Sequence, residues 1–500
     1  MKRFHIVVMI VILTAFVSAQ TNVKTDSTPE AVTESTPVAD VPPTSDNSER
    51  LRELEEKMEE LQRQIVMLKN LLDEKTPAAS TRPAAETLAP RTAKAAVKKV
   101  TLPAAKATKD KSDLSFDAGD FRITPYGIIF FNSYINSGGT NNADDPLWAI
   151  PATLGNAGAS ARQTRLGVRV EGGKLGGANV KGVVEADFYG GFPGVGVGEH
   201  MGVVRLRLAH VRLDWEKTSL VIGQDWIPFA PNSPTSLAAA AIPQFAAAGN
   251  PWSRLPQVRV DHKLGNGFML QGAILAPGTG DFPAGGATPA LLQPGSGAVS
   301  RMPFFQGRLS YANGDWMGSG KKGTIGLGTH IGRSRISNPA VTRNVDSYGL
   351  AVDWNFWAAK RLSVKGEAFF GENLGGFQAG VFQGYNTSFG AFVMPEGSVG
   401  DIKGIRTKGG WIQFGFTVPA FKDRLNLYAS TGIDDPFDGD LRNVSGRNFR
   451  SQNFGYAFDA IYDISKRFSV GTEFRRLETR YIFGTRDDFN HLNFAARYKF

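Results

Sequence analysis

Cysteine is missing from all 500 residues. Its absence excludes disulfides, thiolate metal centres, cysteine nucleophiles and a lipid-anchored N-terminal cysteine. It suits a chain that crosses an oxidising compartment unfolded. Long apolar runs are also missing once the first nineteen residues are passed. Those residues begin with Lys2 and Arg3, run apolar from Ile6 to Val17 and reach Ser18 and Ala19 before Gln20, the layout of a signal peptide over 1–19. The apolar run is shorter than the ~20 residues of a spanning helix. A membrane location for the mature chain would therefore have to rest on strands. Histidine is scarce, and none of His200, His210, His262, His330 and His491 sits in a recognisable Ser/His/Asn pattern. A barrel enzyme, which needs a base beside a nucleophile, is only a remote alternative. No cofactor, metal site or nucleic acid partner is expected. The run Glu171–Gly177 fails the phosphate-loop pattern and reads as a turn.

The composition includes 57 glycines and 34 phenylalanines. That pairing fits strands, turns and interfacial girdles better than a helical fold. Ahead of the strands, three segments differ in character. Residues 20–47 are rich in Thr, Pro, Ser and acids and form an expected disordered linker. Over 48–75 the period changes. Leu51, Leu54, Met58, Leu61, Ile65, Leu68 and Leu72 recur at spacings of three and four, which predicts a coiled coil with Ser48 as N-cap and Pro77 as the stop. A lone helix of this length is marginal in water, so it should self-associate. The stretch RLRELEE, with Arg50, Leu51, Leu54 and Glu56, is similar to short trimeric coiled coils. Residues 76–114 are an Ala/Pro/Lys-rich linker, either a solvated spacer or, in an alternative reading as an envelope tether, a peptidoglycan-binding segment.

From 115 to 500 the chain reads as strand after strand. Clear alternations run from Val180 to Phe188, Gln257 to Lys263, Phe305 to Tyr311, Tyr348 to Phe356, Leu362 to Phe370, Gly410 to Val418, Phe454 to Tyr462 and Leu492 to Phe500. Weaker ones centre on Tyr126, Leu166, Leu206, Leu220, Leu270, Ile325, Leu427 and Val470. Together they predict an all-β transmembrane barrel of about sixteen antiparallel strands. Tight connections, such as those at Trp215, Lys263, Ala358, Phe421 and Asp463, alternate with long ones after Ile135, Tyr189, Trp226, Ala276, Arg335, Gly371, Gly432 and Gly484. Short periplasmic turns and long external loops would give this rhythm. Both barrel ends and the coiled coil then lie on the periplasmic side of an outer membrane. The C-terminal strand closes the barrel, with Phe494 toward lipid and Ala495 toward the lumen, where an arginine should be tolerated.

Charges on the strands must face inward, because one at mid-bilayer on the lipid face costs ~2–4 kcal/mol. The pore-lining candidates are Arg165, Arg169, Glu185, Asp187, Arg205, Arg207, Arg259, Asp261, Arg308 and Arg497. In VRLRLAHVRLDW the alternation changes phase, which predicts a bulge near Ala209 or His210. The chain carries +9 overall; the first 114 residues hold 17 bases and 16 acids, leaving 39 and 31 for the barrel. Excess positive charge in a narrow channel concentrates anions. The loop at 228–256 has an apolar, alanine-rich middle that should not be exposed. It would either pack between subunits or fold into the barrel and narrow it, where it would meet Arg165, Arg205, Arg207 and Arg259.

RQTRLGVRV (Arg162 to Val170), VEADF (Val184 to Phe188), RLRLAHV (Arg205 to Val211), LVIGQDW (Leu220 to Trp226) and PQVRV (Pro256 to Val260), with the preceding coiled coil, resemble the DcaP-like family of trimeric outer-membrane porins. The resemblance implies a sixteen-stranded barrel, a homotrimer and passive diffusion of small anionic solutes such as dicarboxylates. By position it makes Arg165, Arg205, Arg207 and Arg259 pore arginines. The alanine-rich loop and the long mixed linker have no counterpart in that likeness.

Overall fold

The computed structural model describes residues 114–500 other than 152, 192–201, 280–293 and 393–397. The signal peptide, both linkers up to 113 and the coiled coil lie outside the described residues. A short strand, β1 (Phe116–Ala118), lies against the start of β2 (Phe121–Asn136). The far half of β2 pairs with β3 (Asn156–Ser160), which breaks at 161–164 and resumes as β4 (Arg165–Leu175). Next come β5 (Ala178–Asp187), β6 (Arg205–Asp214), β7 (Thr218–Trp226), β8 (Arg254–Gly265) and β9 (Phe268–Leu275). They are followed by β10 (Phe304–Gly314), β11 (Gly323–Ser337), β12 (Thr342–Ala359) and β13 (Leu362–Glu372). A separate two-stranded sheet, β14 (Tyr385–Phe389) with β15 (Asp401–Gly404), sits in the connection to β16 (Arg406–Val418). The chain finishes with β17 (Leu425–Pro436), β18 (Arg450–Asp463), β19 (Phe468–Tyr481) and β20 (Arg486–Lys499).

Every long strand pairs antiparallel with its neighbours in sequence, and β20 returns to β2 from Ile128↔Lys499 to Asn136↔His491. The main sheet has 18 strands; two of them, β1 and β3, are short additions along β2, so the closed barrel has sixteen. Closure leaves no unpaired edge. Phe500 completes the seam by exchanging backbone hydrogen bonds with Gly127 at 3.2 Å in both directions. A Cβ on Gly127 would stand 2.6 Å from the Phe500 ring, so the glycine makes room for the terminal aromatic.

The period-two pattern sorts side chains between two surroundings. On β11 the outward Ile325, Leu327 and Ile331 are exposed, while the inward His330 and Ser334 are buried. Trp215, Trp316 and Tyr498 ring the short-turn end, and Tyr348, Phe370 and Phe454 the other. From Tyr348 to Phe356 is roughly 27 Å along a tilted strand, which suits an apolar band of about 25 Å.

Three expectations need correction. The bulge in β6 is at Arg207: Leu208 faces Glu185 and Leu206 faces Ala186, leaving Arg207 as the extra residue. The short–long rhythm of connections is also imperfect. β11 and β12 pair out to Ser337↔Thr342 and are joined by 338–341, while 482–485 joins β19 to β20. Asn338 holds the first of these hairpins, accepting from the amides of Ala340 and Val341 at 2.9 Å and donating to Thr387 and Gly400 beside it at 2.8 Å. Extended strand thus replaces a loop here. Finally, Glu171–Gly177 is strand as far as Leu175, and the turn is Gly176–Gly177 alone.

Candidate functional site

The segment 227–253 leaves the end of β7, enters the barrel and runs around its inner wall before returning to β8. Its alanines have no polar side-chain atoms, and its backbone forms no regular ladder, so the wall must satisfy its peptide groups. Phe229 is seated first, its amide donating to Gln306 and its ring against Phe377 and His330. Gly328 and Gly349 form that seat, since a Cβ on either would collide with Phe229. Asn232 then donates to the carbonyls of Trp354 and Gly366, Thr235 exchanges bonds with Gln413, and Ser236 meets Glu473. Leu237 packs on Phe130, Ile461 and Ala495. Ala495 is therefore inward-facing but only 1% exposed, and it is covered by the loop. An arginine there would displace Leu237.

Midway along, at 238–241, the segment meets an arginine cluster, and residues 244–248 then pack on Ser430, Asn453 and Asp459. Gln163, fully buried, donates to Ala238 at 2.8 Å and accepts from the amides of Ala240 and Ala241 at 2.7 and 2.8 Å. Arg165 donates to the Ala240 carbonyl at 2.7 Å. Arg205, Arg207 and Arg254 donate to the Ala241 carbonyl at 3.0, 3.3 and 3.4 Å. Behind them stand two carboxylates. Arg205 makes a bidentate pair with Asp187, and Arg207 bridges Glu185 and Asp187 at 2.7 Å each. Arg165 lies 3.6 Å from Glu185, which also accepts from the Tyr126 hydroxyl. Arg205 and Arg207, two residues apart on β6, share the inner face and reach the same carbonyl.

Arg254 differs from the other three. Among the described residues no carboxylate lies within 4 Å of it, and its Nη1 has no hydrogen-bond partner. Its guanidinium stacks on Trp226 and Trp252 instead, 4.7 and 4.9 Å from the ring centres. The cluster therefore holds four guanidiniums against two carboxylates.

Other candidates from the sequence stand elsewhere. Arg259 pairs with Asp225 and Asp261 and donates to the Trp226 carbonyl, so it anchors the base of the loop and does not touch the alanine run. Asp261 also accepts from Arg212. Arg308 is bidentate to Asp353. Arg169 stacks on Tyr126 at 3.9 Å, and Arg497 has no ion pair among the described residues.

The first loop, 137–155, also docks inward. Asp144 pairs with Arg162, and Asp145 accepts from the buried Arg475 at 3.2 Å. Burial pushes the Asp145 carboxyl up from 3.8 to about 7; Asp144 and Glu473 add to the rise and Arg475 opposes it. Leu147, Tyr189, Ile242, Ala246, Trp252 and Val381 bring four loops into one apolar cluster above the arginines. Sequence reasoning missed Gln163, Arg254 and Arg475. Gln163 lies inside the quoted RQTRLGVRV and Arg254 directly follows the alanine-rich loop, but neither has a periodicity that signals loop contact.

No protein-family model and no curated protein sequence matches the chain. Among solved structures, the outer membrane channel DcaP of Acinetobacter baumannii is similar at a TM-score of 0.58 and 17% identity, over 77% of this chain and 99% of that one. The chain has the DcaP fold. An anion-selective porin from Comamonas acidovorans is similar at a TM-score of 0.46 and 12% identity, covering 76% of this chain and 100% of that one. Outer-membrane expressed OmpT of Vibrio cholerae is similar at 0.46 and 10%, covering 77% and 100%. On the DcaP fold, the long-loop end of this barrel carries the inward segment 227–253 and the short-turn end carries both chain ends of the barrel.

Proposed function

We propose that this chain is a DcaP-like porin of the outer membrane, a passive channel for small hydrophilic solutes that favours anions such as carboxylates. In this reading the short-turn end faces the periplasm and the ten charged candidates line the pore. The coiled coil joins three copies in the periplasm. The observation that carries the reading is the inward loop whose alanine run meets Arg165, Arg205, Arg207 and Arg254, where four cations face Glu185 and Asp187. A surplus of positive charge beside low-dielectric walls attracts anions more strongly than it would in bulk water. Arg254 rests on an aromatic cradle with no carboxylate within 4 Å among the described residues, so its charge adds to the cluster without a local ion pair to offset it.

The contact of His330 with Ser347 at 2.9 Å supports a channel over a catalyst. Both residues are buried at 1% exposure, and the other ring nitrogen faces the Gln306 amide, so no carboxylate orients the imidazole. The test is reconstitution of the full chain in planar bilayers under a KCl gradient. The expected result is conductance steps with a reversal potential on the anion side, moved toward zero by Arg254→Gln. Absence of steps, or cation selectivity, would overturn the proposal. Cross-linking in detergent, with and without residues 48–75, tests the trimer.

A further inference from the structure

The outer wall of β16 to β20 has a hollow that the rest of the described belt does not explain. Two cross-strand rows build it. The row nearer the short-turn rim runs Leu362, Phe416, Leu427, Ala460, Thr472 and Phe494; the next runs Val364, Phe414, Ala429, Phe458, Phe474 and Leu492. Ala429, Ala460 and Thr472 form the floor, while phenylalanines stand on either side. The groove is apolar and encloses about 540 Å³, room for a length of acyl chain. Its rows start two residues above the Val418–Leu425 pair that ends the hairpin, roughly 7 Å from the rim at the rise of a strand.

Directly below it the turns are basic. The connections at 360–361, 419–424 and 464–467 present Lys360, Arg361, Lys422, Arg424, Lys466 and Arg467 with one carboxylate, Asp423, which pairs with Arg361 at 3.0 Å. Asp463 turns inward, accepting from Ser469 and Asn426, and does not offset them. Lys422, Arg424 and Lys466 are exposed. On the other wall the turns 176–177, 215–217, 266–267 and 315–322 contain two acids, Glu216 and Asp315, and three bases, Lys217, Lys321 and Lys322, a net +1 against +5 under the groove. The positive charge is therefore gathered under the groove, at the depth where lipid phosphates lie.

We propose that this face is a binding site for one anionic glycerophospholipid of the adjacent leaflet, its acyl chain in the groove and its phosphate among Lys422, Arg424 and Lys466. Neither feature alone selects this occupant. The groove would take any acyl chain, and the turns any anion; their stacking at headgroup-to-chain spacing requires both parts in one molecule.

Native mass spectrometry of the full-length protein in detergent, delipidated and then offered phosphatidylglycerol or phosphatidylethanolamine, tests this. The expected result is one phosphatidylglycerol retained per chain with a preference of about tenfold. The triple variant Lys422→Gln, Arg424→Gln, Lys466→Gln should reduce that preference to about twofold or less, and Ala429→Phe with Ala460→Leu should abolish retention of both lipids. Heat-modifiable migration establishes that each variant barrel is folded; should the groove variant not assemble, Ala460→Leu alone takes its place. Equal retention of the two lipids by the unaltered protein would overturn the site, as would undiminished preference in the triple variant. A groove variant that splits the oligomer while keeping its lipid would assign this face to a second copy of the chain and would equally overturn the proposal.

Discussion

Gln163→Leu is the sharpest perturbation of the inward loop. The side chain is fully buried and makes three hydrogen bonds, one to the Ala238 carbonyl and two from the Ala240 and Ala241 amides. Leucine keeps nearly the same volume but strips partners from three backbone groups at once. Each buried orphan costs about 1–3 kcal/mol, and water entering from the lumen would offset part of that. A net loss of about 3 kcal/mol would lower the docked-to-undocked ratio more than a hundredfold. Arg165, Arg205, Arg207 and Arg254 would still reach toward the loop carbonyls, but none of them serves the two amides. Gln163→Glu retains both acceptor contacts but sets a buried carboxylate oxygen against the Ala238 carbonyl, so it should fall between the leucine variant and the unaltered chain. In planar bilayers the leucine variant should show larger and noisier conductance steps, with normal heat-modifiable migration. Unchanged conductance in a correctly folded Gln163→Leu barrel would refute the claim that this side chain holds the loop.

Docking of the first loop should depend on pH through Asp145. Its carboxyl is raised by burial from 3.8 to about 7, so the docked loop binds more protons than the free one between these values. Docking is then strongest below pH ~4 and weakens as pH rises through about 7. Single-channel conductance should climb between about pH 4 and 7 and level off above that, and Asp145→Asn should flatten that climb; an identical slope in the variant would exclude this carboxyl as the cause. Phe494→Arg places a charge on the outer wall at a cost of ~2–4 kcal/mol, and should reduce the heat-modifiable, assembled fraction. Ala495→Arg should leave assembly intact but push Leu237 off the wall, seen as enlarged conductance, because only the loop stands over that residue.

The barrel was legible in the sequence because a lipid-facing wall imposes one rule on every strand. Ile325, Leu327 and Ile331 alternate with inward groups because a slip of one residue would exchange hydrocarbon for water along the whole strand. That constraint is local, repeated and written at period two, so strand positions and closure could be read from it. The inward fold of 227–253 was half legible: an alanine-rich stretch after a strand end must find a dry place, and the sequence left both the lumen and a subunit interface open. Its partners were less visible. Arg165, Arg205 and Arg207 fell where expected because they share strands with clear alternation, whereas Arg259 was drawn to the loop's base by Asp225 and the Trp226 carbonyl. Gln163 occupies the break between β3 and β4, where period two says nothing about direction. Arg254 follows a segment without periodicity, and its setting depends on Trp226 and Trp252, which meet only after the loop has traversed the lumen. The missed residues are those whose surroundings are assembled by the loop itself. Strand alternation reports which solvent a side chain meets, and it carries no record of a surface supplied by a non-repeating segment from elsewhere in the chain. The parts of this molecule that fill its lumen are accordingly the parts that a period-two reading leaves least determined.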